Sequence, residues 1–321
     1  VGRSAQYNTT TGSYNVSVGT YSMNLNTTGQ ENTAMGNSAL YSNTTANGNS
    51  AIGAYAMFDN TTGEFNTSLG RSALENNTTA SNNVGIGAYA SFNNTSGYQN
   101  TAVGRSSQYT NTIGFYNTSV GAFSLQFNVS GDYNVAIGRS SLRSNLADFN
   151  TAVGAECLFS NTSGSQNTAV GRGSMYNNTT GYYNTSLGFY SLYENTTGFN
   201  NVAIGRYSLR FNTGDQNTGL GSESLYTNSS GDRNTAVGFN ALYSSTTSND
   251  NTAVGYQALA FNTTGYQNTA VGSRASNNAT TGIRNVAVGR DALLTNTSGS
   301  GNISIGFNSA NKITTQSNNT A

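Results

Sequence analysis

Proline, tryptophan and histidine are absent from the 321 residues, cysteine occurs once, and charge is sparse, with 13 basic and 13 acidic side chains. Each absence excludes something. Without histidine there is no His-based catalytic triad, and most catalytic zinc sites lose their usual ligand. A single cysteine closes no intramolecular disulfide. A formal net charge of zero gives no electrostatic pull toward nucleic acid or an anionic membrane. No apolar run approaches the roughly 18 residues that a membrane-spanning helix requires. Neither a P-loop nor a dinucleotide-binding fingerprint occurs. The expectation is a protein that is not an enzyme and needs no cofactor or metal.

Asn, Thr, Ser, Gly and Tyr are abundant, and they are not scattered. Asn opens motifs such as Asn150-Thr151-Ala152-Val153-Gly154, and this anchor recurs from Asn15 to Asn319. Sixteen of the eighteen intervals are 17 residues; the two ending at Asn150 and Asn217 are 16. Two residues after the anchor stands Ala, Ser or Gly, and for the first eighteen anchors Val, Ile, Leu or Met stands three after it and Gly four after it. A disordered polar chain has no reason to hold aliphatic residues at fixed positions, so the period signals a repeat architecture.

Within one repeat, Asn-Thr/Val-Ala-Val-Gly alternates with the period of a strand. A second stretch such as Ser191-Leu192-Tyr193 or Ala241-Leu242-Tyr243 reads as another short strand. It is followed by Asn195-Thr-Thr-Gly198 or a relative, which reads as a turn with Gly supplying a positive φ. Seventeen residues are too few for a helical hairpin and too few to fold alone, so repeats must stack. The expected fold is therefore all-β: a parallel β-solenoid of about nineteen coils forming one continuous array over residues 1–321. Joining Ala321 to Val1 would restore Asn-Thr-Ala-Val-Gly with the period intact. This leads to the expectation of a filament segment, continued covalently or by head-to-tail stacking.

The Asn-Val-Ala-Ile-Gly of residues 134–138 and 201–205 resembles the head repeats of trimeric autotransporter adhesins. Similar Asn-Thr-Ala-Val-Gly arrays occur in bacterial fibre and phage-tail-fibre-like proteins. The resemblance runs the whole chain through a short, low-complexity motif. It implies a left-handed β-roll, assembly as a homotrimer and a role in surface attachment. The family's repeat is shorter than the one here and lacks the regular Asn-Thr-Thr-Gly extension.

Asn-X-Ser/Thr sequons recur in the turn at Asn26, Asn43, Asn60, Asn77, Asn94, Asn128, Asn161, Asn178, Asn195, Asn228, Asn262 and Asn296. These are the candidate glycosylation sites, on the premise that a turn exposes its Asn. The bland alternative is that Asn and Thr are simply good turn residues. O-linked glycans on Thr are a further option. Aromatic runs such as Phe115-Tyr116 and Tyr182-Tyr183 read first as ladders across coils and second as a sugar-stacking surface. Arg follows the motif Gly at Arg71, Arg105, Arg139, Arg172 and Arg206, for solubility or inter-chain hydrogen bonds. Asp132 with Asp148, and Asp215 with Asp232, occupy one turn position on neighbouring coils; they read as solvated turn residues, with calcium or hydrolytic chemistry as alternatives. Cys157 reads as a small packed side chain. The leading function is structural, in an extracellular or cell-surface fibre, glycosylated and adhesive. The alternatives are an ice- or glycan-binding solenoid and a tailspike-like glycosidase.

Overall fold

The computed structural model describes all 321 residues, and their contacts divide into two compact units, Val1–Ser163 and Gly164–Ala321. Both are all-β and built from the same coil. The first carries β1 (Val16–Val18), β2 (Thr33–Met35), β3 (Ser50–Ile52), β4 (Thr67–Leu69), β5 (Val84–Ile86), β6 (Thr101–Val103), β7 (Thr118–Val120), β8 (Val135–Ile137) and β9 (Thr151–Val153). The second carries β10 (Thr168–Val170), β11 (Thr185–Leu187), β12 (Val202–Ile204), β13 (Thr218–Leu220), β14 (Thr235–Val237), β15 (Thr252–Val254), β16 (Thr269–Val271), β17 (Val286–Val288) and β18 (Ile303–Ile305). Within each unit every strand pairs in parallel with the next, in register one coil up, as where β3 meets β4: Ser50 opposes Thr67, Ala51 opposes Ser68 and Ile52 opposes Leu69. Each unit is thus a parallel β-solenoid.

The strand alternates as its sequence requires, with the small middle residue inward. Ala34, Ala51, Ala102 and Ala136 are fully buried, while the flanking Thr, Val and Ile point outward. The motif Gly that follows has φ near +130°, and it is placed where no side chain fits. A Cβ on Gly104 would lie 2.6 Å from the carbonyl carbon of Gly121 in the coil above. Stacked coils therefore approach backbone to backbone along this column.

The second stretch is not a strand. In Arg71-Ser72-Ala73-Leu74, Ser72 and Leu74 take φ of 56° and 52°, in the left-handed region. A third left-handed residue precedes each anchor Asn, as at Phe65 with φ 55°. L-residues pay for this conformation, on the order of 1–2 kcal/mol each, and β-branched residues pay most. Accordingly Val, Ile and Thr never occupy these positions, although they are common elsewhere in the chain. What the twisted path achieves is to turn Leu74 into the interior. Leu or Met at this position (Met23, Leu40, Met57, Leu74, Leu125) is the one large apolar side chain that a coil buries completely.

The rest of the interior is Ala, Ser and Asn. The anchor Asn forms a ladder: Asn49 Nδ2 donates to the Gly63 carbonyl at 2.8 Å, and Asn49 Oδ1 accepts the backbone N–H of Asn66 at 2.9 Å. The turn Gly contributes differently from expectation. Gly29 and Gly63 lack a positive φ; a Cβ on Gly63 would meet the Ala80 carbonyl at 2.2 Å and Asn60 Oδ1 at 2.6 Å. A small residue here, Gly in most coils and Ala at Ala46 and Ala80, admits the next coil and the Asn amides.

Candidate functional site

The twelve candidate acceptors lie inside the coil. Asn26, Asn43, Asn60, Asn77, Asn94, Asn128, Asn161, Asn178, Asn195, Asn228, Asn262 and Asn296 are all 0% exposed. This corrects the premise that the turn exposes its Asn. Each side chain folds back under its own turn: Asn77 Nδ2 donates to the Ala80 carbonyl at 3.0 Å and to Asn60 Oδ1 at 2.8 Å. Asn94 Nδ2 in turn donates to Asn77 Oδ1 at 2.9 Å. The amide, a donor at one end and an acceptor at the other, repeats at the coil spacing and so satisfies itself. A bulky glycan on any of these nitrogens would displace the turn and open the ladder. The sequon pattern also missed members of this set. Asn111, Asn145 and Asn212 occupy the same buried position without a sequon, and the spacing of 11 from the anchor identifies them.

Four coils interrupt the column, each with a covalent cause; at Ser245 the hydroxyl stands in, donating to Asn228 Oδ1 at 3.5 Å, and the other three leave an acceptor without a donor. At Asn145 and Asn212 the coil is one residue short, and the amide reaches its own turn carbonyl (Ala147 at 2.6 Å, Gly214 at 2.8 Å) rather than the Asn below. At Ala279 there is no amide at all. The acceptors left facing these coils, Oδ1 of Asn128, Asn195 and Asn262, are buried without a partner. An orphaned buried acceptor costs about 1–3 kcal/mol. Replacing Ala279→Asn supplies a donor in a slot that Asn fills in neighbouring coils. It is expected to stabilise the chain by about 1 kcal/mol, measured as a higher urea midpoint at unchanged slope.

The paired aspartates cap backbone. Asp132 Oδ1 accepts the Phe115 N–H at 2.9 Å and Asp148 Oδ1 accepts the Asp132 N–H at 2.8 Å; Asp215 and Asp232 repeat this on Phe199 and Asp215. Burial and then the neighbouring Asp148 raise the Asp132 pKa, against the lowering effect of its backbone hydrogen bond. No group of three or more His, Cys, Asp or Glu side chains converges as metal ligands would.

Three of the five arginines turn toward the next coil, and Arg206 lies over the adjacent Tyr207 ring with the guanidinium carbon 4.5 Å from its centre. Arg71 and Arg105 lie over the rings of Tyr89 and Phe123, with the guanidinium carbon 5.9 and 4.8 Å from the ring centre, and Arg139 pairs with Glu156. Aromatic side chains form ladders as expected: Tyr41 on Phe58, Tyr98 on Phe115, and Tyr182 on Phe199, with centroids 5.0, 5.0 and 5.1 Å apart and planes within 10°. Stacking ring on ring uses the faces that a sugar would need. Cys157 is packed in the core, and burial pushes its thiol up to about 12. The nucleophile is the thiolate. Ellman's reagent at pH 8 is therefore expected to leave the native chain unlabelled and to titrate one thiol after denaturation; prompt labelling of the native chain would contradict this packing.

The surface feature that sequence reasoning missed is the outer face of the sheet. The third strand residue points to solvent in coil after coil: Ile52 is 39% exposed, Leu69 46% and, in the second unit, Leu187 45%. Beside it runs the half-exposed first strand residue, Thr or Val. This makes an apolar stripe along each sheet. Alternation predicted a two-faced strand; with only Ala and Ser small enough for the narrow interior, the aliphatic face must be the outer one. The chain matches no protein-family model and no curated protein.

Proposed function

We propose that this chain is a structural element of an extracellular or cell-surface fibre, which associates with further copies of itself through the aliphatic face of its sheet. The observation that carries this reading is that stripe. Contiguous exposed apolar surface marks an interaction site, and in the first unit Val18, Met35, Ile52, Leu69, Val120 and Ile137 are all exposed along this face. A surface with one aliphatic residue per coil is best matched by another with the same spacing of about 4.8 Å. A second copy has that spacing. The homotrimer implied by the resemblance to adhesin heads is one closed form of such an assembly. The interior supports the same role, since its polar atoms are engaged in stacking coils and no cleft gathers catalytic groups.

The test is the association state. Multi-angle light scattering and sedimentation of the purified chain are expected to give a defined oligomer. The triple variant I52T/L69T/I137T keeps β-branched or hydroxylated strand residues at the same exposed positions. It is expected to sediment as a monomer with an unchanged circular dichroism spectrum. A wild-type chain that stays monomeric at tens of micromolar would overturn the proposal.

A further inference from the structure

The two hydroxyl residues of the turn, Thr-Thr in most coils, have separate fates. The first is structural. Thr27 Oγ1 donates to the Thr44 carbonyl at 2.9 Å, Thr61 to Thr78 at 3.0 Å, and Thr78 to Thr95 at 3.0 Å; in the second unit Thr263 donates to Thr280 at 3.0 Å. The second is exposed, and its hydroxyl makes no hydrogen bond within the chain: Thr28, Thr45, Thr62, Thr79 and Ser96 in the first unit, and Thr264 with its equivalents in the second. A hydroxyl is kept here even where the first position has lost it, as in Asn128-Val129-Ser130-Gly131. Fold stability does not ask for it, because no contact within the coil uses it. Only the short coils at Asn145 and Asn212, which lack this residue, and Ile113 interrupt the row.

We infer that this second turn position is an acceptor row for O-linked glycans, added by a glycosyltransferase from a nucleotide- or lipid-activated sugar. In the transfer the Thr or Ser oxygen gives its proton to the transferase base and forms a bond to the anomeric carbon. The bond from that carbon to the phosphate leaving group breaks. The acceptor must be an exposed nucleophile on a protruding turn, and this row alone in the turn meets both conditions: the Asn is buried and the first hydroxyl is engaged. Roots on successive coils lie about 5 Å apart, closer than the width of a sugar ring with its substituents. Occupancy therefore falls on a fraction of the coils, splayed outward. The inference rests on the extracellular reading above for the chain's encounter with the transferase, and on nothing about how copies associate.

Electron-transfer fragmentation of the chain recovered from its native source tests this, alongside its sedimentation. The expected result is sugar-sized mass increments at the second turn hydroxyls, removed by alkaline β-elimination. No increments are expected in the turns at 145–148 and 212–215. Substituting Thr28, Thr45, Thr62 and Thr79 by Val in the native host should remove the increments of those coils while leaving circular dichroism unchanged. An unmodified mass, or sugars carried on Asn or on the first hydroxyl, would overturn the assignment. The sedimentation value reports separately on association, so either idea can fail without the other.

Discussion

Gly104→Ala, like the same change at any glycine of its column, is expected to be among the most damaging single-methyl changes in the chain. Two costs add at this position. The native φ of 133° lies where an L-residue is strained, about 1–3 kcal/mol. The new Cβ would also sit 2.6 Å from both the carbonyl carbon and the oxygen of Gly121, which are backbone atoms held by their own ladder. Gly121 cannot retreat, because its N–H donates to the Val103 carbonyl at 2.7 Å and its own Cα faces Gly138 in turn. Relief requires separating two coils, so the total is expected to reach about 3–5 kcal/mol. In a stacked array stability is nearly a sum of coils and their interfaces. The loss should therefore appear as local opening: amides of the flanking coils exchange hydrogen faster, and the urea transition loses steepness. Gly29→Ala is the control. A Cβ there would also press on Asn26 Oδ1 and the Ala46 carbonyl, but the position needs no positive φ and other coils hold Ala46 and Ala80 in it, so the turn can relieve the contact and the change is expected to cost clearly less. Equal losses in the two variants would show that the close approach along the motif Gly column is not what constrains it.

The second large effect is expected at Asn77. Asn77→Ala removes a donor from Asn60 Oδ1 and an acceptor from Asn94 Nδ2, about 2 kcal/mol. Asn77→Asp is worse at neutral pH, although it is nearly isosteric. It turns an oxygen toward Asn60 Oδ1 and the Ala80 carbonyl, where the native amide nitrogen sits at 2.8 and 3.0 Å. The carboxylate is buried, unpaired and opposed by two acceptors, an arrangement that costs about 3–5 kcal/mol. Both terms disfavour the charged form, so the folded-state pKa of the new Asp lies above its unfolded value of about 3.9. The sign follows from linkage. Below about pH 4 the acid is protonated in both states and the penalty is smallest. As pH rises toward the raised folded pKa, stability relative to wild type falls, and it levels off above that value. Urea midpoints of wild type and variant between pH 3 and 8 measure this. A difference that does not change with pH would show that position 77 is not sealed from water.

The repeat and the parallel solenoid were legible because they rest on features that only one geometry satisfies. A Gly four residues after every anchor and a small residue two after it imply close stacking whatever the rest of the coil does. The path of the second stretch was not legible. Ser-Leu-Tyr looks like strand, and nothing local announces that Leu74 is left-handed; the trace is negative, in the lack of Val, Ile and Thr at the equivalent places. The burial of the turn Asn was hidden for a different reason. Polar side chains are normally expected outside, and sequons reinforced that expectation. An amide column reverses it, since each Asn supplies the partner that the next one needs. Five residues without charge and with the right spacing, Asn43, Asn60, Asn77, Asn94 and Asn111, were the available clue. The outward placement of the aliphatic stripe was not legible because alternation leaves open which face is inward; the interior's width decides it, set by Ala51 on one side and Leu40 and Met57 on the other.

The short turns at Asn145 and Asn212 bear on how such a gene can change. The residue they omit is the second turn residue, which takes no part in the Asn column, so an in-frame loss of one codon there leaves both the strand register and the buried amide in place. Losing a codon within the strand or the left-handed stretch would shift a side chain from the inside to the outside of the coil. Gain or loss of a whole 17-codon block by unequal crossing-over presents each surviving coil with the neighbours it already had. Length is then the property that recombination can vary most freely in this chain, whereas the coil itself admits single-residue deletion at one place.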